Sequence, residues 1–267
     1  MTVQLLPPDF DEQAAAAVKS FWTARVAPGT GTQGGTRDGV IGGKNLDAFI
    51  RLVTVVARHC GLPDEAVLTR KGNVVLPGYF RATKNWDVLV IHRRRLIAIF
   101  EFKSQVGSFG NNFNNRSEEV IGAAADVWVA HHHGAYSDEP PPSGQGFMYV
   151  REPSLLNPDI QRDPRPPFLG WLMLLEESAE STTPVRVDEP NYRVFPEFRG
   201  ASYAMRYQIL CERLVERQLY GAAALVLSNK DAGAATGEHR SLSEATSLRT
   251  LFAEFAARVA ASNEGSR

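Results

Sequence analysis

Apolar residues recur along this chain with two different periods. In several segments they return every three or four positions, as on one face of a helix. Other apolar runs are short and bounded by glycine, proline or polar residues, which is typical of buried strands. The pattern predicts an α/β fold with a mixed central sheet flanked by helices. The predicted helices cover residues 10–27, 44–60, 117–131, 201–220 and 241–261; strands are predicted at 168–176 and 222–230, and a loop at 230–238.

The segment from Asp87 to Lys103 contains two apolar runs joined by the basic turn 93–95, which predicts a β-hairpin. Because side chains alternate between the two faces of a strand, Glu101 and Lys103 should point the same way and Phe102 the other. Two carboxylates and one ammonium group are therefore expected to converge at one end of the hairpin.

This combination suits the hydrolysis of a phosphodiester, in which carboxylates hold Mg²⁺ against the phosphate. We predict Asp87 and Glu101 as Mg²⁺ ligands, with the backbone carbonyl of Phe102 as an additional one. Lys103 is predicted to orient or deprotonate the attacking water, with a pKa lowered by burial and by the metal. The alternative is that both carboxylates are ordinary charges at strand ends, with Lys103 paired to one of them.

Other candidate metal ligands also have structural explanations. Asp47 could add a third carboxylate, although an acidic residue in a first turn also compensates the helix dipole. The histidines 131–133 point in different directions on a helix, so a surface helix end explains them better than a metal site. Cys60 and Cys211 lie in apolar surroundings without a C-x-x-C partner. This fits a reducing compartment and excludes a cysteine zinc site.

The overall charge does not mark the chain as a polycation, since 29 Lys and Arg face 30 Asp and Glu. No apolar stretch reaches the ~18 residues of a membrane span, and residues 1–10 lack the layout of a signal peptide. A cytoplasmic location is expected. Basic residues gather beside the predicted site and could contact phosphates, although the turn can also be merely solvated. These are Arg70, Lys71, Arg81, Lys84 and the turn 93–95.

Residues 104–116 follow the predicted catalytic lysine and contain four asparagines around Phe113. Amide side chains can pair with adenine edges and arginine with guanine or phosphate, which favours a DNA-facing loop. The alternative is a plain turn, because asparagine tolerates left-handed backbone. The predicted DNA contacts are Gln105, Asn111, Asn112, Asn114, Asn115 and Arg116, with Lys44, Arg81 and Lys84 from elsewhere.

Two segments interrupt the predicted single domain of residues 1–267. Residues 29–43 hold seven glycines and little apolar mass, so they form either a linker or a loop that orders on a ligand. They do not form a phosphate-binding loop, because the G-x-x-x-x-G-K-[ST] motif is absent. Residues 138–167 are rich in proline and are predicted to be an insert.

Several stretches resemble the XhoI-type family of type II restriction endonucleases. The resemblance covers about residues 40–230, and its most specific part is F-G-N-N-F-N-N-R within 101–119. The other stretches are G-G-K-N-L-D-A-F-I (42–50), L-P-G-Y-F-R-A-T-K-N-W-D (76–87) and S-Y-A-M-R-Y-Q-I-L-C (202–211).

This resemblance implies a PD-(D/E)xK restriction-endonuclease-like core that acts as a homodimer with Mg²⁺. The implied reaction is cleavage of both strands of DNA within the palindrome CTCGAG, which leaves 5′ overhangs. A cognate DNA methyltransferase would act on the same site. Asp87, Glu101 and Lys103 match the catalytic set, whereas Trp86 stands where the motif has proline.

Two other functions stay open on the sequence alone. One is a structure-specific or repair nuclease of the same fold, which would not cut at a palindrome. The other is a DNA-binding protein with vestigial carboxylates, which would bind DNA in Ca²⁺ without cleaving it in Mg²⁺. The intact Asp87, Glu101 and Lys103 argue against the second.

Overall fold

The computed structural model describes residues 4–26, 46–136 and 166–264. The predicted Gly-rich loop at 29–43, Lys44 and most of the predicted insert lie outside these ranges. The helices are α1 (Phe10–Val26), α2 (Asp47–His59), α3 (Phe109–His132), α4 (Ala179–Thr182), α5 (Tyr203–Glu216), α6 (Lys230–Thr236) and α7 (Leu248–Glu264). The strands are β1 (Val67–Leu68), β2 (Val75–Pro77), β3 (Thr83–Asn85), β4 (Val88–His92), β5 (Arg95–Gln105), β6 (Phe168–Glu176) and β7 (Ala222–Ser228).

Five strands form one mixed sheet in the order β1-β4-β5-β6-β7, and β2 and β3 form a separate hairpin. The pairs β1–β4 and β4–β5 are antiparallel, whereas β5–β6 and β6–β7 are parallel. The longest strand, β5, is therefore central. These findings confirm the predicted α/β fold with a mixed central sheet flanked by helices. No helix in the described ranges combines the length and apolar character that a membrane crossing requires.

The predicted hairpin is confirmed, because β4 and β5 pair antiparallel with Val88 opposite Phe100 and His92 opposite Arg95. Its turn consists of Arg93 and Arg94, both with positive φ angles of 49° and 62°. A two-residue turn with both residues in the left-handed region matches the twist of the strands that it joins.

The two faces of the sheet carry different helices. Phe100 and Phe102 of β5 point into an apolar core that also contains residues of α1, α2 and α7. Ile99 points into a second core, which includes residues of α3 and α5. Since Glu101 and Lys103 alternate with Phe100 and Phe102, they lie on the α3 and α5 face, as the spacing predicted.

The segment predicted as a DNA-facing loop is mostly helical, which corrects both the loop and the helix start predicted at residue 117. Helix α3 begins at Phe109, after Gly107 and Ser108 turn the chain with φ angles of 68° and 49°. Phe109 stacks on Tyr203, with ring centroids 6.1 Å apart. Packing of the aromatic side chains thus outweighs the preference of asparagine for turns.

The last helix also begins later than the predicted residue 241. The residues that precede this helix run along the outer edge of β7. Arg240 forms an antiparallel β-bridge with Leu227, and the N–H of Leu225 donates to the carbonyl of Thr246 over 2.9 Å. Covering an edge strand satisfies its backbone groups. Ser247 then caps α7, because its hydroxyl accepts a hydrogen bond from the N–H of Thr250.

Residues 230–236 form the short helix α6, where a loop was predicted. The Asn229 side chain caps its start by accepting hydrogen bonds from the N–H groups of Asp231 and Ala232. Gly237, with a φ angle of 79°, ends it. An N-cap asparagine and a C-terminal glycine were both legible in the sequence, but so short a helix carries little periodic signal.

Candidate active site

The structure brings Asp87, Glu101 and Lys103 together at the end of the β4–β5 hairpin. Asp87 directly precedes β4, and its Oδ2 accepts a hydrogen bond of 2.7 Å from the N–H of Phe102. The N–H of Asp87 donates in turn to the carbonyl of Phe100 over 3.2 Å. The Asp87 carboxylate is thereby fixed against the stretch of β5 that carries Glu101 and Lys103.

Glu101 is the buried carboxylate of the cluster, with an exposed fraction of 3%. Its Oε1 accepts from two ammonium groups, those of Lys103 at 2.9 Å and Lys84 at 3.0 Å. Its Oε2 is buried and has no hydrogen-bond partner among the described residues. Because a buried carboxylate oxygen without a partner is costly, Oε2 is available to a cation.

Lys103 contacts a second carboxylate that the sequence analysis did not assign to the site. Its Nζ lies 2.8 Å from Oε1 of Glu119 on α3, and Oε2 of Glu119 lies 2.7 Å from Nη1 of Arg116. Glu119 borders the buried stripe of α3 that includes Val120 and Ala123. The buried stripe was legible in the predicted helix and is the signal that could have placed Glu119 beside the sheet.

The ammonium group of Lys103 is stabilised rather than weakened by its surroundings. Burial lowers the pKa of Lys103, but Glu101 and Glu119 outweigh burial, so its pKa lies above the usual value. The predicted lowering by burial is present but outweighed by the two carboxylates, and the predicted lowering by the metal stays a prediction. Burial raises the pKa of Asp87, with the Phe102 N–H and Lys103 acting in the opposite direction. Burial also raises the pKa of Glu119, but Lys103 and Arg116 bring it below its usual value.

Lys84 belongs to this cluster more than to an open DNA surface. Its side chain is only 13% exposed, and Nζ lies over the ring of Trp86 at 4.4 Å from the centroid. With its contact to Glu101, Lys84 places a second cation beside the predicted metal ligands. Its predicted contact with DNA stays a prediction, while its ammonium group forms an ion pair inside the site.

The donor set fits a hard divalent cation such as Mg²⁺. Asp87 and Glu101 supply carboxylate oxygens, and Oε2 of Glu101 lacks another described partner. Asp47, by contrast, is exposed at the start of α2, whose buried residues pack against the opposite face of the sheet. Within residues 4–26, 46–136 and 166–264, no three His, Cys, Asp or Glu side chains form a metal-binding group. The structure therefore does not bring Asp47 to the other two carboxylates.

The asparagine segment divides into exposed and engaged side chains. Asn111, Asn114 and Asn115 are exposed on the first turns of α3, whereas Asn112 donates to the carbonyl of Ser108 over 3.0 Å. Exposed amides near the predicted site remain available to DNA. About one third of the Arg116 side chain is exposed, and its guanidinium group forms an ion pair with Glu119.

Gln105, one of the predicted DNA contacts, is buried and hydrogen-bonded within the protein. It is 4% exposed; its Nε2 donates to the carbonyls of Gly107 and Ser108, and its Oε1 accepts from the hydroxyl of Tyr207. Strand alternation alone put Gln105 on the same face as Lys103, but α3 and α5 cover that face here. Gln105 holds the turn that leads into α3.

Arg81 and the histidines at the end of α3 lie in a neighbouring part of the molecule. The guanidinium Nε of Arg81 is 2.7 Å from Oδ2 of the buried Asp126, while 44% of the Arg81 side chain stays exposed. His131 and His132 end α3 as predicted, and the ring of His133 stacks on that of Tyr79.

Comparisons with known proteins agree on one family. The family described as restriction endonuclease XhoI matches residues 26–159 and 156–241. A type II restriction enzyme XhoI from Xanthomonas vasicola is 40% identical over 213 residues, which are 78% of this chain and 76% of that protein. The type II restriction enzyme BstVI from Geobacillus stearothermophilus is 40% identical over 210 residues, which are 76% of this chain and 82% of that protein.

A third relative, the type II restriction enzyme AbrI from Azospirillum brasilense, is 39% identical over 193 residues, which are 69% of this chain and 75% of that protein. No solved structure matches the chain. The family match includes the hairpin, helix α3 and helix α5, and therefore all of the residues that form the cluster around Glu101.

Proposed function

The chain belongs to the XhoI family of restriction endonucleases, and from this premise we propose that it cuts both strands of DNA within the palindrome CTCGAG. The proposed reaction is Mg²⁺-dependent hydrolysis of one phosphodiester bond in each strand, which leaves 5′ overhangs. Asp87, Glu101 and Lys103 are the proposed catalytic residues. The observation that carries the proposal is their convergence around Glu101, whose buried Oε2 has no hydrogen-bond partner in the described part of the chain.

Asp87 and Glu101 would hold Mg²⁺, with the carbonyl of Phe102 as an additional ligand. When bound, the ion supplies positive charge at the scissile phosphate and acidifies a water. The fixed position of Asp87 on the Phe102 N–H supports this assignment, because a preorganised ligand loses little freedom on binding. Asp47 stays a candidate for a further carboxylate only if α2 or the bound DNA changes its surroundings.

Lys103 would act as a charged hydrogen-bond donor to the attacking water and to the phosphate oxygens. Its raised pKa supports donation rather than proton abstraction, since the ammonium form persists at neutral pH. A fixed positive charge stabilises the negative charge that develops on the phosphate in the transition state. Glu119 would position Lys103, and Lys84 would add a second positive charge beside Glu101.

A homodimer would explain cleavage of both strands, because the two-fold symmetry of a dimer matches that of a palindrome. Sequence must be read by contacts with base edges or by DNA shape, since phosphate contacts carry no direct sequence information. Asn111, Asn114 and Asn115 are the proposed amide donors and acceptors for base edges, and Arg116 and Arg81 the proposed phosphate contacts. A cognate methyltransferase would protect the same sequence.

Digestion of long phage DNA in Mg²⁺, followed by sequencing of the fragment ends, tests this proposal. We expect discrete fragments whose ends all lie within CTCGAG and carry 5′ overhangs. Discrete fragments that end at another palindrome would overturn the recognition site alone. A smear of fragments would favour a nuclease without sequence specificity, and no cleavage at all would favour an inactive DNA-binding protein.

A further inference from the structure

The loop between β2 and β3 exposes two aromatic side chains beside the proposed active site. Phe80 at its tip is 71% exposed and Tyr79 is 47% exposed, and their rings meet edge to face at 5.0 Å. Large aromatic side chains are normally buried, so an exposed adjacent pair marks a contact surface.

A side chain of helix α3 fixes the backbone of this loop. Asp126, itself 2% exposed, accepts hydrogen bonds through Oδ1 from the N–H groups of Tyr79 at 2.7 Å and Phe80 at 2.8 Å. Its Oδ2 accepts from Nε of Arg81 at 2.7 Å. A buried carboxylate with three donors on consecutive residues leaves this loop little freedom.

Two further contacts hold the sides of the loop. The hydroxyl of Tyr136 donates to the carbonyl of Pro77 over 2.8 Å. The ring of Tyr79 stacks on His133 with centroids 4.6 Å apart and planes 26° apart. The loop therefore keeps its shape while the Phe80 ring stays largely exposed, and an already ordered loop has little entropy left to lose on binding.

The position of the loop and the charges near it indicate DNA as its binding partner. Strand β3 follows directly, and its Lys84 contacts the proposed metal ligand Glu101. Arg81, with 44% of its side chain exposed, sets a positive charge next to Phe80. A duplex whose scissile phosphate lies at Glu101 would thus run past an apolar ring flanked by cations. That combination fits stacked bases between two lines of phosphates.

We propose that Phe80, supported by Tyr79, is a DNA wedge that inserts between base pairs next to the scissile phosphate. The inference rests on the proposed DNA cleavage and goes further, because it assigns a residue that deforms the duplex. Inserting an apolar side chain unstacks a base step and bends the duplex. The step that deforms most readily would then be preferred, so Phe80 would contribute to sequence choice without a hydrogen bond.

The test compares Phe80→Ala with Tyr192→Ala, which removes an aromatic ring that is 90% exposed and belongs to no proposed site. The binding of each protein to a short duplex that contains CTCGAG is measured in Ca²⁺. Cleavage of the same duplex by the wild type is measured in Mg²⁺. We expect Phe80→Ala to weaken binding roughly 10- to 100-fold, with an unchanged melting temperature. Tyr192→Ala should bind like the wild type.

A second readout places 2-aminopurine, a fluorescent base whose emission rises on unstacking, at each step of the duplex in turn. We expect the wild type to raise the emission at one step and Phe80→Ala to abolish the rise. The wedge would be overturned if Phe80→Ala bound the duplex as tightly as the wild type, or if the wild type raised the emission at no step. Cleavage by the wild type would still support the proposed function in either case. Conversion of a dimer into a monomer by Phe80→Ala would also overturn the wedge, because Phe80 would then contact a second copy.

Discussion

Helix α3 uses two carboxylates in opposite ways, one in each half of its length. Glu119 is partly exposed, with 37% of its side chain accessible, and pairs with two side-chain cations, Lys103 and Arg116. Asp126 is buried and holds two backbone N–H groups as well as Arg81. The first arrangement can rearrange when a charged ligand arrives, whereas the second fixes a loop in one shape.

This difference separates residues that serve the chemistry from residues that serve the scaffold. The Glu119 half of α3 faces the proposed catalytic cluster on β5, and the Asp126 half holds the 77–81 loop that precedes it. Substitutions in the two halves should therefore differ in their main effect, which is the cleavage rate for Glu119 and stability, together with DNA binding through the 77–81 loop, for Asp126.

Among the variants that contrast the two halves of α3, Lys103→Ala should give the largest loss of cleavage rate. Removing the cation that faces the phosphate should lower the cleavage rate by roughly 10²- to 10³-fold or more, because charge stabilisation in the transition state is lost. Single-turnover cleavage of a CTCGAG duplex measures this, with binding in Ca²⁺ as the companion assay. Retained cleavage by this variant would show that another group supplies the charge.

Asp126→Ala should give the largest loss of stability. It leaves two N–H groups and Arg81 without their buried acceptor, at a cost of about 2–4 kcal/mol in the free energy of unfolding. Chemical denaturation measures the change. The control is Asp188→Ala, an exposed residue whose ion pair with Arg186 spans 3.5 Å and should contribute about 0–1 kcal/mol. Equal stabilities of the two variants would refute the distinction between the halves.

Glu119→Gln sharpens the comparison, since it keeps the shape of the side chain and removes its charge. We expect the cleavage rate to fall roughly 10- to 100-fold, as for other residues that orient a catalytic group. The melting temperature and DNA affinity should change little. Glu118→Gln, an exposed neighbour on the same helix, is the matched control. A loss of stability without a loss of rate would make Glu119 a scaffold residue.

Tyr136→Phe should have the smallest effect, confined to the loop. It removes one hydrogen bond, to the carbonyl of Pro77, and should cost about 1 kcal/mol of stability. Denaturation and cleavage can be followed on the same preparation. A drop in the single-turnover rate larger than the Glu119→Gln effect would contradict the purely structural role of this anchor.

The hairpin and the convergence of Asp87, Glu101 and Lys103 could be predicted because their signals are local. Two apolar runs around a basic turn predict the strands, and strand alternation alone puts Glu101 and Lys103 on one face. The contacts of Lys84 and Glu119 could not be predicted, since they depend on how β3 and α3 dock on the sheet. The burial of Gln105 could not be predicted for the same reason, because strand alternation does not show whether a helix covers that face.

The start of α3 had the widest consequence for the predicted site. Four asparagines indicated a loop, while Phe109 and Phe113 pack against tyrosines of α5 and make the segment helical. Such tertiary packing is invisible to local propensity. Glu119 lay inside the predicted helix, but its contact with Lys103 depends on how the buried stripe of α3 docks on the sheet.

The central claim is that Glu101, with Asp87 and Lys103, forms a Mg²⁺-dependent DNA-cleaving centre. The most direct measurement compares the wild type with Glu101→Ala on one CTCGAG duplex, with cleavage in Mg²⁺ or EDTA and binding in Ca²⁺. The account predicts that the wild type cuts in Mg²⁺ and not in EDTA, and that Glu101→Ala binds the duplex without cutting it. Cleavage by the wild type in EDTA, or by Glu101→Ala at the wild-type rate, would contradict it.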